Sequence, residues 1–251
     1  MSVGEIPTRR RTAHPPQGLD WAAGSLLHEL AQSGPGGVEA RLALERCGTA
    51  RVYARGETML FAHARDTFVL LMLDGFAKVT LTDASGAPVL IDVRAAGDVV
   101  GETAAFDGGP RSATVTAAQS LHARRISQEE WLQWATGNPA AARAVMRNQT
   151  HRGRTASRRR QDFVSGPVIA RMARAALDLA EQYGTRERDG LRVRPGLTQA
   201  EWGGFIGAKE RRVHHALHEL ADAGVITFGR CRLVIRSVPR LREYAAIGGE
   251  E

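Results

Sequence analysis

From Arg51 onward the apolar residues fall in short runs separated by turn residues, a pattern of strands. Phe68–Leu73 is one such run and closes on the turn pair Asp74-Gly75. Phe76–Thr82 alternates apolar and polar positions, Asp83–Pro88 is a polar turn, and Val89–Val93 is the next strand, ending near Gly97-Asp98. Val99-Val100 and Ala113–Ala117 continue the series. Short strands at near-even spacing, with no long helix between them, predict an antiparallel roll or barrel. Ahead of it, Trp21–Leu30 reads as a short helix broken by Gly34–Gly37, and Val38–Arg46 as a second.

The period changes at Asn138-Pro139. Proline fits a first helical turn, and no break follows until Ser165-Gly166-Pro167, so one long helix is predicted between them. Its small or apolar residues Ala142, Val145, Met146, Gln149, Gly153, Ala156 and Phe163 make a thin seam suited to packing against a second copy of the chain. Val145, Met146 and Phe163 would be wet in a monomer. A further helix restarts with Ser165 as N-cap, buries Val168, Met172, Ala176 and Leu179, and stops at Gly184. Thr185–Arg194 reads as a charged loop.

Thr198 and Glu201 then form a capping box at the start of a short helix that carries Trp202, Phe205 and Ile206 inward and ends at Gly207. A second helix, Lys209–Ala223, buries Val213, Ala216, Leu217 and Leu220 and stops at Gly224. Two short helices joined at a glycine match a helix-turn-helix, whose second helix enters the DNA major groove. Val225–Phe228, a turn at Gly229-Arg230 and Arg232–Ile235 form a β-hairpin wing.

Composition sharpens this picture. The chain has 251 residues, 43% of them hydrophobic, and a formal charge of +7. That excess favours a polyanionic partner, nucleic acid first and an anionic membrane surface second. The positive residues cluster at Arg143, Arg147, Arg152, Arg154 and Arg158–Arg160, and again at Lys209, Arg211, Arg212, Arg230, Arg232 and Arg236. No uninterrupted apolar stretch reaches membrane-spanning length, so no membrane partner is expected. Residues 1–20 read as a disordered arm without the apolar core of a secretory signal. Cys47 and Cys231 are the only cysteines, too few for a disulfide framework, and a reducing cytoplasm is the default location. Nucleophile–base pairs, paired acids and metal sets are missing, which argues against an enzyme. His214 and His218, one helical turn apart with Cys231 nearby, lack the HExxH context of a zinc site, and no metal is expected.

Residues from about 50 to 240 resemble the Crp/Fnr (cyclic-AMP receptor) family. The stretch LTQAEWGGFIGAKERRVHHALHELADAGVI is similar to the family's helix-turn-helix, matching it at Thr198, Glu201 and Gly207. The family's capping serine is Lys209 here, its Arg-Glu order is reversed as Glu210-Arg211, and its later arginine is His215. The resemblance therefore implies the fold but not the operator sequence. It implies DNA contacts from Lys209, Glu210, Arg211, Arg212, His214 and His215, with Arg230 and Arg232 on the wing. The implied partners are an inverted repeat in double-stranded DNA, a second copy of the chain and RNA polymerase.

GDVVGETAAFDGGPRSATV, Gly97–Val115, is similar to the family's phosphate-binding cassette. Glu102 suits a ribose 2′-hydroxyl, the forked Arg111 guanidinium suits a phosphate diester, and Ser112 adds a hydroxyl and an amide. By resemblance Gly101, Glu102, Arg111, Ser112 and Ala113 carry phosphate and ribose, while Thr103 and Ala104 complete the turn. In cyclic-AMP sensors two hydroxyl residues of the long helix meet adenine. Here those places are Ala156 and Ser157, so Ser157 keeps the hydroxyl and Ala156 does not. The arginines around them suit either a cyclic dinucleotide or a solvated face. No covalent cofactor is implied, only an effector, cyclic AMP or a cyclic dinucleotide.

The expected architecture is α+β: an N-terminal cyclic-nucleotide-binding β-roll (jelly roll) over 21–137, a long dimerisation helix over 138–164, and a C-terminal winged helix-turn-helix over 165–240, followed by a tail over 241–251. The expected function is sequence-specific transcription regulation by a homodimer under a cyclic nucleotide. The alternatives are a ligand-independent regulator and a nucleotide-binding module whose helix-turn-helix contacts protein.

Overall fold

The structure, a computed structural model, describes residues 21–22, 24–84, 86–164 and 166–248, with side chains except at 162–164. The arm expected over 1–20, the Ser165 cap and the Phe163 side chain lie outside the described residues.

Two short helices, α1 (Leu26–Ala31) and α2 (Pro35–Arg46), open the fold. α1 begins later than the apolar pattern implies because Ser25 caps it, accepting from the His28 amide. α2 begins earlier, at Pro35, whose fixed φ suits the first helical position. The roll follows as β1 (Thr49–Tyr53), β2 (Thr58–Leu60), β3 (Val69–Met72), β4 (Phe76–Thr82), β5 (Pro88–Ala95), β6 (Val99–Val100), helix α3 (Glu102–Asp107), β7 (Thr114–Ala117) and β8 (Leu121–Ile126). They pair into two antiparallel sheets, ordered β1-β8-β3-β6 and β2-β7-β4-β5. Leu70, Met72, Val79, Val100, Val115, Leu121 and Ala123 are among the buried residues of one core cluster drawn from both sheets.

Helix α4 (Gln128–Gly137), with a Ser127–Glu130 capping box, leads into the 26-residue α5 (Pro139–Val164). Residues of α1, α2, α4 and α5 share a core around Trp131 and Trp134. Val145 belongs to that core and is buried, so it is not a wet seam residue. Ala142, Met146, Gly153 and Ala156 are exposed along α5, as the seam requires.

The C-terminal half runs α6 (Val168–Tyr183), β9 (Thr185–Glu187), β10 (Gly190–Val193), α7 (Gln199–Ile206), α8 (Glu210–Asp222), β11 (Ile226–Gly229), β12 (Arg232–Ile235) and α9 (Val238–Ala246). Pro167 caps α6 from outside the helix. The stretch expected to be a charged loop is instead the hairpin β9–β10. Leu191 and Val193 pair with Ile235 and Leu233 of β12, so the wing is a four-stranded sheet, β11-β12-β10-β9. A segment this short is a strand only because β12 offers it a free edge. Helix α9 runs through residues 241–246 of the tail region, and its buried Leu241 joins the core of α6–α8. Among the described residues no helix is long and apolar enough to cross a membrane.

Candidate functional site

The cassette folds into one cleft. Gly101 has a left-handed backbone (φ 87), which admits glycine without strain and turns the chain into α3. The cleft gathers Gly101, Glu102, Thr103, Ala104, Arg111, Ser112 and Ala113. Ser157 is not among its lining residues and is exposed on α5. Arg94 of β5 and Arg152 of α5 complete the wall. The cleft encloses about 80 Å³, well short of the roughly 300–1,000 Å³ usual for small-molecule sites.

Its charged groups are already paired. Arg111 is 3% exposed and donates from Nε to Asp66 Oδ1 (2.6 Å), from Nη1 to the Gly101 carbonyl (2.7 Å) and from Nη2 to the Phe68 carbonyl (2.6 Å). A guanidinium has five N–H donors, so part of its capacity remains for a phosphate. Glu102 Oε1 accepts from Arg152 Nη1 (2.6 Å) and from Gln149 Nε2 (2.9 Å). Burial works to raise the Glu102 carboxyl, but Arg152, Gln149 and Arg94 outweigh it and hold it below the usual carboxylate range. Arg152 Nη2 also donates to the Val99 carbonyl (2.9 Å) and reaches Asp98 Oδ1 (3.2 Å).

This network continues beneath the cleft. Asp92 pairs with Arg94 and accepts from Arg159 Nη1 of α5 at 2.8 Å. Burial pushes the Asp92 carboxyl up, yet Arg94 and Arg159 prevail and hold it well below its usual range. A polar cavity lined by Asp92, Arg94, Asp98, Arg152, Arg159 and Tyr183, among others, lies behind. Arg94 and Arg152 line both it and the cleft. The sequence pointed to the cassette and placed Arg152 among arginines suited to a cyclic dinucleotide or a solvated face, not as the partner of Glu102. Sequence reasoning missed Arg94, Asp92 and Asp66, which lie on strands or loops where a single charged residue carries no motif.

The second surface is α8. Both halves of the capping box at Thr198 and Glu201 are present, and Gly207 ends α7 in a left-handed conformation (φ 62). The α8 side chains divide by face: Val213, Ala216, Leu217 and Leu220 are buried, whereas Glu210, Arg211, Arg212, His214, His215 and His218 are exposed. Lys209 takes the N-cap position without a side-chain cap bond. The His214 and His218 ring centroids lie 4.3 Å apart with the planes tilted by 57°, and His214 Nδ1 lies 3.3 Å from Gln199 Oε1. Among the described residues no group of three or more His, Cys, Asp and Glu is arranged to hold a metal ion. On the wing Arg230 is exposed at the turn, and Arg232 Nη2 donates to Glu187 Oε2 at 2.6 Å.

Comparison with known proteins gives two family matches, the cyclic nucleotide-binding domain over residues 50–138 and the Crp-like helix-turn-helix domain over 170–244. A CRP-like cAMP-activated global transcriptional regulator of Mycobacterium tuberculosis is 26% identical over 193 residues, covering 77% of this chain and 86% of that one. The cAMP-activated global transcriptional regulator Vfr of Pseudomonas aeruginosa is 24% identical, covering 70% and 84%. Among solved structures, a CRP/FNR-family transcriptional regulator of Thermus thermophilus has a TM-score of 0.68 at 20% identity, covering 80% of this chain and 100% of that one. The c-di-GMP responsive regulator CLP of Xanthomonas campestris has a TM-score of 0.66 at 15% identity, covering 80% and 99%.

Proposed function

Because the chain belongs to the Crp/Fnr family of transcription regulators, we propose that it works as a homodimer that reads an inverted repeat in double-stranded DNA and answers to a cyclic nucleotide. The observation that carries the DNA reading is the two-sided character of α8. Its apolar face is buried while Glu210, Arg211, Arg212, His214 and His215 are exposed beside the basic wing. Arg211 is suited to guanine O6 and N7, Glu210 to cytosine N4, and Lys209, Arg230 and Arg232 to phosphates. Dimerisation is supported by the exposed seam of α5. Met146 is 67% exposed, and a Cβ at Gly153 would meet nothing within 4 Å, which leaves room for a second helix. A twofold dimer presents two recognition helices about one DNA turn apart. The domain divisions proposed are a roll over 21–137, a dimerisation helix over 138–164 and a winged helix from 165, with α9 as part of the last.

In the ligand-bound form Gly101, Arg111, Ser112 and Ala113 hold the cyclic phosphate, Glu102 holds the ribose, and Thr103 supports the turn. Ser157 of the dimerisation helix lies outside the cleft and reaches a base only if the cleft opens toward the dimer seam. The ligand classes are cyclic AMP and a cyclic dinucleotide. The relatives carry both kinds of name, cAMP-activated and c-di-GMP responsive. A second reading, a regulator that needs no ligand, draws on the internal pairing of Glu102 and Arg111 and on the small cleft. Calorimetry with cyclic AMP, cyclic GMP and cyclic di-GMP, run beside selection from random DNA with and without each, decides between them. Recovery of an inverted repeat only in the presence of one nucleotide supports the first reading. The same repeat recovered with no nucleotide bound supports the second, and no enriched repeat overturns both. RNA polymerase is the proposed protein partner on the promoter, tested by co-sedimentation on the selected DNA.

A further inference from the structure

The helix-turn-helix does not stand clear of the roll. Leu90 and Val93 of β5 belong to the same buried core as Trp202, Phe205, Ile206 and Leu217. Helix α7 lies on β5 at Gly204, where a Cβ would come within 2.9 Å of the Leu90 amide nitrogen and 3.1 Å of Val89 Cγ1. Its neighbour Gly203 serves a different purpose, since a Cβ there would strike the Ala208 carbonyl inside the turn itself, at 2.6 Å. A helix interior is a poor place for glycine, and two in succession need two reasons. Gly203 closes the turn between α7 and α8, and Gly204 lets α7 approach the strand.

Side chains close the contact on both flanks. Lys78 Nζ of β4 donates to Glu201 Oε1 at 2.6 Å, while the other Glu201 oxygen stays in the capping box, accepting from the Thr198 amide at 2.8 Å. Arg159 of α5 stacks over the Phe205 ring at 4.4 Å and holds Asp92 of β5 with the same guanidinium. Tyr183, at the end of α6, donates to the Val93 carbonyl at 3.4 Å and meets Phe76 of β4 edge-on at 5.6 Å. These contacts use α7 or the end of α6, and the Glu210, Arg211, Arg212, His214 and His215 side chains of α8 remain exposed.

We infer that β4 and β5 are a built-in seat for the first helix of the helix-turn-helix, with Gly204 and Lys78 as the positioning residues that set the angle at which α8 meets DNA. The inference rests on the DNA-binding reading above and adds what aims the helix. In a dimer the seat fixes the distance between the two recognition helices, and hence the half-site spacing that DNA must match. Asp92, shared by Arg94 at the cleft and Arg159 at the seat, ties the seat to the effector region.

The two native cysteines give a direct ruler, because Cys47 lies at the end of α2 and Cys231 at the wing turn. Spin labels on both, in full-length protein diluted with unlabelled chain, report the distance between roll and wing by pulsed electron resonance. The parent should show one narrow distance. Gly204→Gln, which puts a side chain where the strand lies, and Lys78→Met, which leaves the helix-turn-helix core intact, should each broaden or lengthen it. In selection from random DNA both should shift or widen the preferred half-site spacing, a readout that simple loss of stability would not move. An unchanged distance in Lys78→Met and Gly204→Gln overturns the seat. A changed distance with an unchanged spacing preference overturns its role in aiming α8. If Gly204→Gln does not fold, Lys78→Met decides alone. If the parent selects no DNA, the regulator reading fails while the distance still judges the seat.

Discussion

Arg152 Nη1 lies 2.6 Å from Glu102 Oε1, so the carboxylate that the cassette would offer to a ribose is held by the chain's own long helix. A ligand entering the cleft must share that carboxylate or displace the guanidinium. Both groups are largely shielded from water, with side-chain exposures of 13% and 10%. Removing one partner of such a pair strands the other, at a cost of roughly 3–5 kcal/mol. Arg152→Met should therefore lower the urea midpoint markedly. Glu102→Gln combined with Arg152→Met should cost less than the two single changes together, by about 0.5–3 kcal/mol. Strict additivity would show that the pair does not matter to the fold.

Acid should undo the same network. The Glu102 and Asp92 carboxyls are both held below their usual range in the folded chain. In the unfolded chain such groups titrate at about 4.3 and 3.9. Their stabilisation is thus complete above those values and is lost as pH falls through the lower native ones. The urea midpoint of the parent should drop steeply below about pH 4, and a Glu102→Gln, Asp92→Asn variant should start lower and fall less. Parallel acid limbs for the two proteins would count against it.

Arg111 has two duties to separate. Its contacts to Asp66, Gly101 and Phe68 brace the cassette, and its side chain lines the cleft. Arg111→Leu should abolish nucleotide binding, a loss of about 2–5 kcal/mol, and also lower the thermal midpoint. Ser112→Ala should weaken binding while leaving the midpoint near the parent's. Calorimetry and melting on both variants test this, and a normal melt for Arg111→Leu would show that the bracing is dispensable.

On DNA the basic residues should differ in kind. Arg211→Ala should cost about 1–3 kcal/mol on the selected site and relax the preference at one base position. Arg230→Ala should weaken all sequences alike and reduce the salt slope by about one. Arg232→Ala should reduce it less, because Glu187 already takes its guanidinium. Binding isotherms over a range of salt, on the selected site and on random DNA, separate the three. Slopes for Arg230→Ala and Arg232→Ala equal to the parent's would remove the wing from the interface.

The helix-turn-helix was legible in the sequence because everything that defines it is local. The Thr198–Glu201 box, the Gly207 stop and the apolar spacing of Val213, Leu217 and Leu220 fall within a few turns of one another. The alternation of β4 and the run of β5 were equally plain. Other features depend on which surfaces meet. Residues 185–194 read as a loop by composition and become strands only because β12 gives them an edge. Val145 reads as part of a dimer seam by spacing and is covered by the core that α5 shares with α1. The pairs that shape the site join residues far apart in the chain: Glu102 with Arg152, 50 positions away, and Lys78 with Glu201, 123 away. Capping and periodicity act over a turn or two of chain and can be read from the residues alone. The partner of a buried charge is set by the packing of whole elements, and that only the tertiary structure decides.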